Sequence, residues 1–219
     1  MEKAVIFDCD GVLVDSEEAS CGAAVISLAE HGVLTDLAEI KTMIGKSNKE
    51  VIEYFKARDR IDLDINTVNK AMERNYMRMA DKLQPMPGII GVLEKLNKAK
   101  IPLAVASSGG YDKISFSLDK TGLTQYFPVI CSAFEVPKGK PEPDLFLYTA
   151  MKLREEPAKC IVVEDSLYGI IAAKKAGMVA VGYTASFTRQ ELLQAGADCI
   201  VTNFNDFFRE LEKSGFKLF

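Results

Sequence analysis

Lys3-Ala4-Val5-Ile6-Phe7-Asp8-Cys9-Asp10-Gly11-Val12 is the stretch on which the fold turns. Four consecutive apolar residues run straight into two carboxylates spaced by two. An apolar run of this kind reads as a strand buried on both faces of a parallel sheet. Side chains alternate along a strand, so Asp8 and Asp10 share one side if the extended geometry persists. Doubly wound folds bind ligands at the carboxyl ends of their parallel strands. Two negative groups placed there repel each other unless a cation or a proton intervenes. Gly11 lets the chain turn sharply immediately afterwards. A lone Asp in this position would read as an ordinary turn opener; the pair asks for more.

Working outward, residues 103–106, 128–131, 160–163, 179–181 and 199–201 repeat the short apolar pattern. Between most of these runs lie helical periodicities, such as Ile89, Val92, Leu93 and Leu96, or Ile170 and Ile171 around Ala173. Strands alternating with helices predict an α/β fold, a doubly wound, Rossmann-like parallel sheet covered on both faces. Residues 15–84 break the alternation. They carry only helical signals, with stripes at Val25, Leu28 and Ala29 and at Val68, Ala71, Met72, Tyr76 and Met79. Ser47-Asn48-Lys49-Glu50 has the form of a capping box, and so has Thr188-Arg189-Gln190-Glu191. Pro85-Met86-Pro87-Gly88 is a natural linker and helix start. The expectation is a core of residues 1–14 and 85–219, interrupted by a helical insertion at 15–84.

Three further strand ends carry reactive groups. Cys160-Ile161-Val162-Val163 runs into Glu164-Asp165-Ser166. An oxygen-rich acidic site suits Mg²⁺, which favours six oxygens, so Asp8, Asp10 and Asp165 together could surround one ion. Alternatively, Asp165 or Ser166 simply caps the helix that begins near Leu167. Leu103-Ala104-Val105-Ala106 leads into Ser107-Ser108-Gly109-Gly110, whose hydroxyls and backbone N–H groups suit phosphate oxygens; a plain turn reads equally well. Gly139-Lys140-Pro141-Glu142-Pro143-Asp144 holds a lysine between glycine and proline, before a helix that Asp144 would cap. A compact ammonium there could neutralise a nucleophilic carboxylate and a bound phosphate.

Composition narrows the classes. The chain has 219 residues, 48% hydrophobic and 26% charged, the balance of an ordinary globular protein. A formal net charge of −4 argues against an electrostatic grip on nucleic acid or an anionic membrane. No apolar run reaches the roughly 18–20 residues of a membrane-spanning helix, and Asp8 and Asp10 cut short the only candidate for a signal segment. Five scattered cysteines without a Cys-x-x-Cys pair predict free thiols and a reducing compartment, with the cytoplasm as default. The single histidine, His31, precedes Gly32 and reads as a helix end. It leaves no room for a multi-histidine metal site.

Taken in order, these motifs resemble those of the haloacid dehalogenase superfamily, in particular its β-phosphoglucomutase-like phosphatase branch with a helical cap. Asp8 to Val12 is similar to the family's Asp-x-Asp-Gly-(Thr/Val) motif, Ser107 to its strand-ending hydroxyl, Lys140 to the lysine of Gly-Lys-Pro-x-Pro-Asp, and Glu164-Asp165-Ser166 to its acidic motif. The resemblance implies a Mg²⁺-dependent phosphatase acting on a small phosphorylated metabolite, such as a sugar or polyol phosphate. It implies Asp8 as nucleophile, Asp10 as acid and base, and Ser107 and Lys140 as phosphate-orienting groups, with Ser108 and Gly109 beside them. The metal set implied is Asp8, Asp10, Glu164 and Asp165. It further implies a cap that closes over the site and a substrate loop at Gly45, Lys46, Ser47 and Asn48, although a helix stop and capping box explain Gly45 and Ser47 equally well. Mutases of this branch carry a cap histidine where this chain has Ala19-Ser20-Cys21, and an arginine where Asn48 stands, so hydrolysis is expected over the alternative, mutase chemistry. A receiver-like signalling module also combines an acidic site with a phosphorylated aspartate. It carries its acidic pair before the phosphorylated strand, and it fits the length and insertion poorly. A monomer is the default expectation.

Overall fold

The computed structural model describes residues 4–44 and 46–218. The chain divides into two compact units, Met1–Asp15 with Gln84–Phe219, and Ser16–Leu83. The boundaries fall one residue inside the expected ones, for a local reason. β1 (Ala4–Phe7) is followed by a turn and by β2 (Val14–Asp15), which pairs antiparallel with β3 (Gln84–Pro85). Asp15 lies opposite Gln84, so both belong to this two-stranded ribbon at the exit and re-entry of the first unit. Strands of two residues are too short to show an alternating pattern, which is why sequence periodicity passed over them.

The second unit contains α1 (Glu17–Glu30), α2 (Leu37–Lys41), α3 (Asn48–Asp59) and α4 (Ile65–Met79). Cys21, Ala24 and Leu28 of α1 pack with Val51, Ile52 and Phe55 of α3 and Val68 and Met72 of α4. Ala29 and Met79, expected on the apolar stripes, are exposed; on α1 the buried face runs through Ala24, Ser27 and Leu28, about one position from the one read, whereas Val68, Ala71, Met72 and Tyr76 of α4 are buried as expected. Ser47 caps α3 in a reciprocal box with Glu50. Asp36 and Asp64 cap α2 and α4. His31 ends α1, its Nδ1 2.7 Å from the Ser27 carbonyl, and Gly32 follows at φ +82°.

The first unit continues through α5 (Ile89–Lys98), β4 (Leu103–Ser107), α6 (Tyr111–Lys120), β5 (Val129–Ser132), α7 (Asp144–Leu153) and β6 (Cys160–Glu164). It closes with α8 (Leu167–Lys175), β7 (Val179–Tyr183), α9 (Arg189–Gln194), β8 (Cys199–Val201) and α10 (Phe207–Lys213). Six strands form one parallel sheet in the order β5-β4-β1-β6-β7-β8. From β1 the chain builds to one side, then crosses to β6 on the other. β1 therefore sits at the switch point, and all four of its residues are fully buried. Asp144 is the first residue of α7 rather than its cap; that position falls to Pro143, whose ring offers no acceptor to the free N–H groups of the first turn, so the end has no side-chain cap. Ser166, not Asp165, caps α8 by accepting from the Gly169 N–H at 3.0 Å. All five cysteines are free and buried. Among the described residues no helix is long and apolar enough to cross a membrane.

Leu93 on α5 is fully buried, so Leu93→Ala should cost about 2–5 kcal/mol of unfolding free energy through lost burial and a residual cavity. Urea denaturation of the two proteins measures this, and coincident midpoints with equal slopes would refute the packing described.

Candidate active site

Each reactive group stands at the carboxyl end of a strand or in the loop that follows. Asp8 is the first residue after β1, and its N–H donates to Val163 O at 2.9 Å, which keeps it in line with β6. Ser107 and Glu164 are the last residues of β4 and β6. Phe7 pairs with both Val105 and Val163, so sheet register alone brings Asp8 between Ser107 and the Glu164-Asp165 pair. Ligand-sized oxygen atoms of Asp8, Glu164 and Asp165 lie within 4.8 Å of one another, and all three residues are buried.

Lys140, from the loop before α7, joins this cluster. Its Nζ donates to Asp8 Oδ1 and to Glu164 Oε1, each at 2.5 Å, and to Ala106 O at 3.1 Å. The Phe146 ring lies 5.1 Å from the same nitrogen. The second Glu164 oxygen accepts from the Ser166 N–H and hydroxyl. Two glycines make room for these acids. At Gly169 a Cβ would overlap the Glu164 carboxylate, and at Gly11, held at φ +77°, it would overlap Asp165 Oδ2. Neither requirement of clearance is visible in a sequence, although Gly11 was recognisable as a turn residue.

Three buried acids clustered around one ammonium, which bonds two of them, leave an excess of negative charge. Burial raises the Asp8 carboxyl; Lys140 pulls it back, while Glu164 and Asp10 push it further, to about 7. Burial likewise lifts Asp165 well above the usual carboxylate range, reinforced by Glu164 and Asp8. Burial alone would depress the Lys140 ammonium, but the two carboxylates reverse this and hold it charged. The Cys9 thiol, buried between the two aspartates, is pushed up and stays protonated. An all-oxygen donor set with this charge excess, and with backbone clearance at Gly11, fits a hard divalent cation.

Asp10 stands apart from the buried cluster and is about one-third exposed at its side chain. Its Oδ2 accepts from Lys113 Nζ at 2.8 Å. Lys113 was missed in the sequence: it lies in the first turns of α6, where an isolated lysine carries no motif signal. The missing side chain of Gly109 lets its stem reach across, since a Cβ there would come within 3.3 Å of Lys113 Cδ. Ser107 is buried, and its Oγ accepts from the Gly109 N–H at 3.2 Å. Ser132, at the end of the neighbouring β5, donates to the Gly109 carbonyl at 2.7 Å and so fixes this loop. Ser108 is exposed. Of the expected substrate loop, Gly45 lies outside the described residues. Lys46 is exposed, Ser47 is occupied as a helix cap, and Asn48 donates to Asn69 Oδ1 at 2.8 Å. All three belong to the second unit.

Known proteins resemble this chain over most of its length. The profile of the family described as haloacid dehalogenase-like hydrolase matches residues 5–183. A 6-phosphogluconate phosphatase of Escherichia coli is 30% identical, over 80% of each chain. A β-phosphoglucomutase of Bacillus subtilis is 33% identical, over 95% of this chain and 93% of its own. A bifunctional riboflavin kinase/FMN phosphatase of Arabidopsis thaliana is 28% identical over 98% of this chain, which spans only 56% of that longer protein. Among solved structures, CbbY from Rhodobacter sphaeroides in complex with phosphate superposes with a TM-score of 0.83 at 26% identity, covering 94% of this chain and 96% of that one.

The raised carboxyls carry a signed consequence for stability. A carboxyl whose folded pKa lies above its unfolded value binds protons preferentially in the folded state, so its contribution is present below about pH 4 and lost as pH rises through about 7. In EDTA, the thermal stability of the parent relative to Asp8→Asn should therefore fall between pH 5 and pH 8. A difference between the two melting curves that does not change with pH would contradict it.

Proposed function

This chain belongs to the haloacid dehalogenase-like hydrolase family and is an enzyme of its phosphatase type, and on that premise we propose that it hydrolyses a small phosphorylated metabolite, a sugar or polyol phosphate, through a phosphorylated Asp8. The observation that carries this reading is the buried Asp8 carboxylate, held by Lys140 within the cluster it forms with Glu164 and Asp165, with the more exposed Asp10 two residues on.

Asp8 attacks phosphorus as the ester oxygen departs, which divides one difficult displacement into two. Lys140 screens the charge between nucleophile and phosphoryl group and holds the Asp8 carboxylate in a single orientation. The Ser107 hydroxyl, its lone pair engaged by Gly109, turns its proton toward a phosphoryl oxygen. Asp10 gives a proton to the leaving oxygen and later takes one from the water that hydrolyses the aspartyl-phosphate. Lys113 keeps the Asp10 carboxylate in place for both transfers. Asp8, the Asp10 backbone carbonyl and Asp165, supported by Glu164, would hold Mg²⁺, which when bound offsets charge on the phosphoryl oxygens. An acid at position 10 also separates this reaction from halide displacement, because a halide leaves without a proton and an alkoxide does not.

Hydrolysis is preferred to intramolecular phosphate exchange on residues of this chain. Segment 19–21 has no histidine, and position 48 is an asparagine already bonded to Asn69. Stimulation of hexose-phosphate interconversion by a hexose bisphosphate would reverse that preference.

Asp8→Asn should lower Mg²⁺-dependent phosphate release by at least about 10³-fold, the scale on which removal of a nucleophile reads. A folded variant with near-parental turnover on a panel of sugar and polyol phosphates would remove Asp8 from the mechanism. Asp10→Asn should slow the first turnover of an alkyl phosphate by about 10²–10⁴-fold. It should largely spare the nitrophenol burst from p-nitrophenyl phosphate, whose leaving group needs no proton. Equal losses on both substrates would show that Asp10 is not the acid.

A further inference from the structure

The acids of the site are not held alike. Asp8 and Glu164 share the Lys140 ammonium, Glu164 also takes two donors from Ser166, and Asp10 is met by Lys113. Asp165 has a different support. Among the described residues, the hydrogen-bond donor to its carboxylate is the hydroxyl of Ser186, which meets Oδ2. Ser186 comes from the loop between β7 and α9. On its other side the same oxygen lies against Gly11, where any Cβ would overlap it. The Asp165 carboxylate is thus gripped between a backbone that has been cleared for it and a single hydroxyl, while the residue is only 5% exposed.

We propose that Ser186 is a positioning residue for divalent-cation binding. Its hydroxyl fixes Asp165 Oδ2 in the rotamer that brings this carboxylate to Asp8 and Glu164. The inference rests on the reading of that acidic cluster as a Mg²⁺ site. A ligand carboxylate gains from an outer donor in two ways. The donor lowers the freedom the side chain must lose when the ion binds, and it satisfies one oxygen that burial would otherwise leave bare. Without it, Asp165 keeps its burial and its repulsion from Glu164 and Asp8, and of the two groups that oppose them only the Lys140 ammonium is left. The second support, Gly11, blocks rotation toward β1 only by contact and offers no donor side chain.

The test is Mg²⁺ binding itself, measured by isothermal titration calorimetry on the whole chain at one fixed pH. The variants are Ser186→Ala, Ser186→Thr and Ser186→Val. Circular dichroism in EDTA confirms that each is folded; Ser186 is a half-buried loop residue, and the cap of the following helix is Thr188. Loss of the hydroxyl should weaken Mg²⁺ binding by about 10–100-fold in the Ala and Val proteins, the range in which outer-shell partners of metal ligands act. Thr restores the donor and should bind close to the parent. The Thr and Val variants are nearly equal in shape, so their difference isolates the hydroxyl even if Ala perturbs the loop. Val and Thr proteins with the same dissociation constant would overturn the role of Ser186 while leaving the cation site standing. A parent that binds no Mg²⁺ would overturn the reading beneath it and this inference together.

Discussion

An ammonium lodged between two buried carboxylates is the constraint on which this site depends. Lys140 touches Asp8, Glu164 and the Ala106 carbonyl from a pocket in which its own side chain is 5% exposed. Burying charges costs several kcal/mol per ion even after relaxation, and their attraction offsets this only when geometry is good and the remaining oxygens are bonded. The structure meets those terms locally. Glu164 has both oxygens occupied, its neighbour Gly169 gives it space, and Phe146 presents an aromatic face to the lysine. The third acid, Asp165, tips the balance back toward excess negative charge. That excess gives the cluster a use for a cation; an apolar filling would be more stable and chemically inert.

The sheet does the placing. Parallel strands with β1 at the switch point direct three carboxyl ends to one edge, so residues far apart in the chain arrive within a few ångströms without any long loop reaching for them. Loops then supply what strands cannot. Lys140 enters from before α7 and meets two acids, while Lys113 from the start of α6 and Ser186 from after β7 meet one each. The nucleophile and the acid–base group differ in environment although only Cys9 separates them. Asp8 is buried and held by a shared lysine, while Asp10 looks toward solvent under a lysine of its own. Two carboxylates made unlike by their surroundings can take unlike roles.

What could be read from the amino-acid order was whatever repeats a local pattern. Each of the six sheet strands is a compact apolar run, and the acids, hydroxyl and lysine follow such runs or sit in a Gly-Lys-Pro context, so the parallel sheet and these residues were legible, while the order of the strands was not. So were the caps at Ser47 and Thr188, because a capping box is written within four residues. Interactions that exist only after the chain has folded stayed hidden. The β2–β3 ribbon is two residues long on each side, so no alternation marks it. Lys113 and Ser186 each act across a gap of many residues and resemble any exposed lysine or loop serine in the sequence. Gly11 and Gly169 serve by the absence of a side chain against a partner more than a turn away or on another strand, which no local rule reveals. Ala29 and Met79 show the reverse error: periodicity locates a helical face to within about one residue, and the packing partner chooses the final rotation.

The position of β1 has a bearing on how the molecule comes into being. Its neighbours in the sheet, β4 and β6, are made long after it, and the Lys140–Asp8 contact closes a separation of 132 residues. During synthesis on the ribosome the first strand emerges with both of its hydrogen-bonding flanks bare; one waits for β4, about halfway along the chain, and the other for β6, later still. Long-range parallel pairing of this kind is slow and exposes sticky intermediates. Nascent chains cut short before Glu164 would therefore offer a strand bare on its β6 side to chaperones and proteases, and would lack two acids of the cluster.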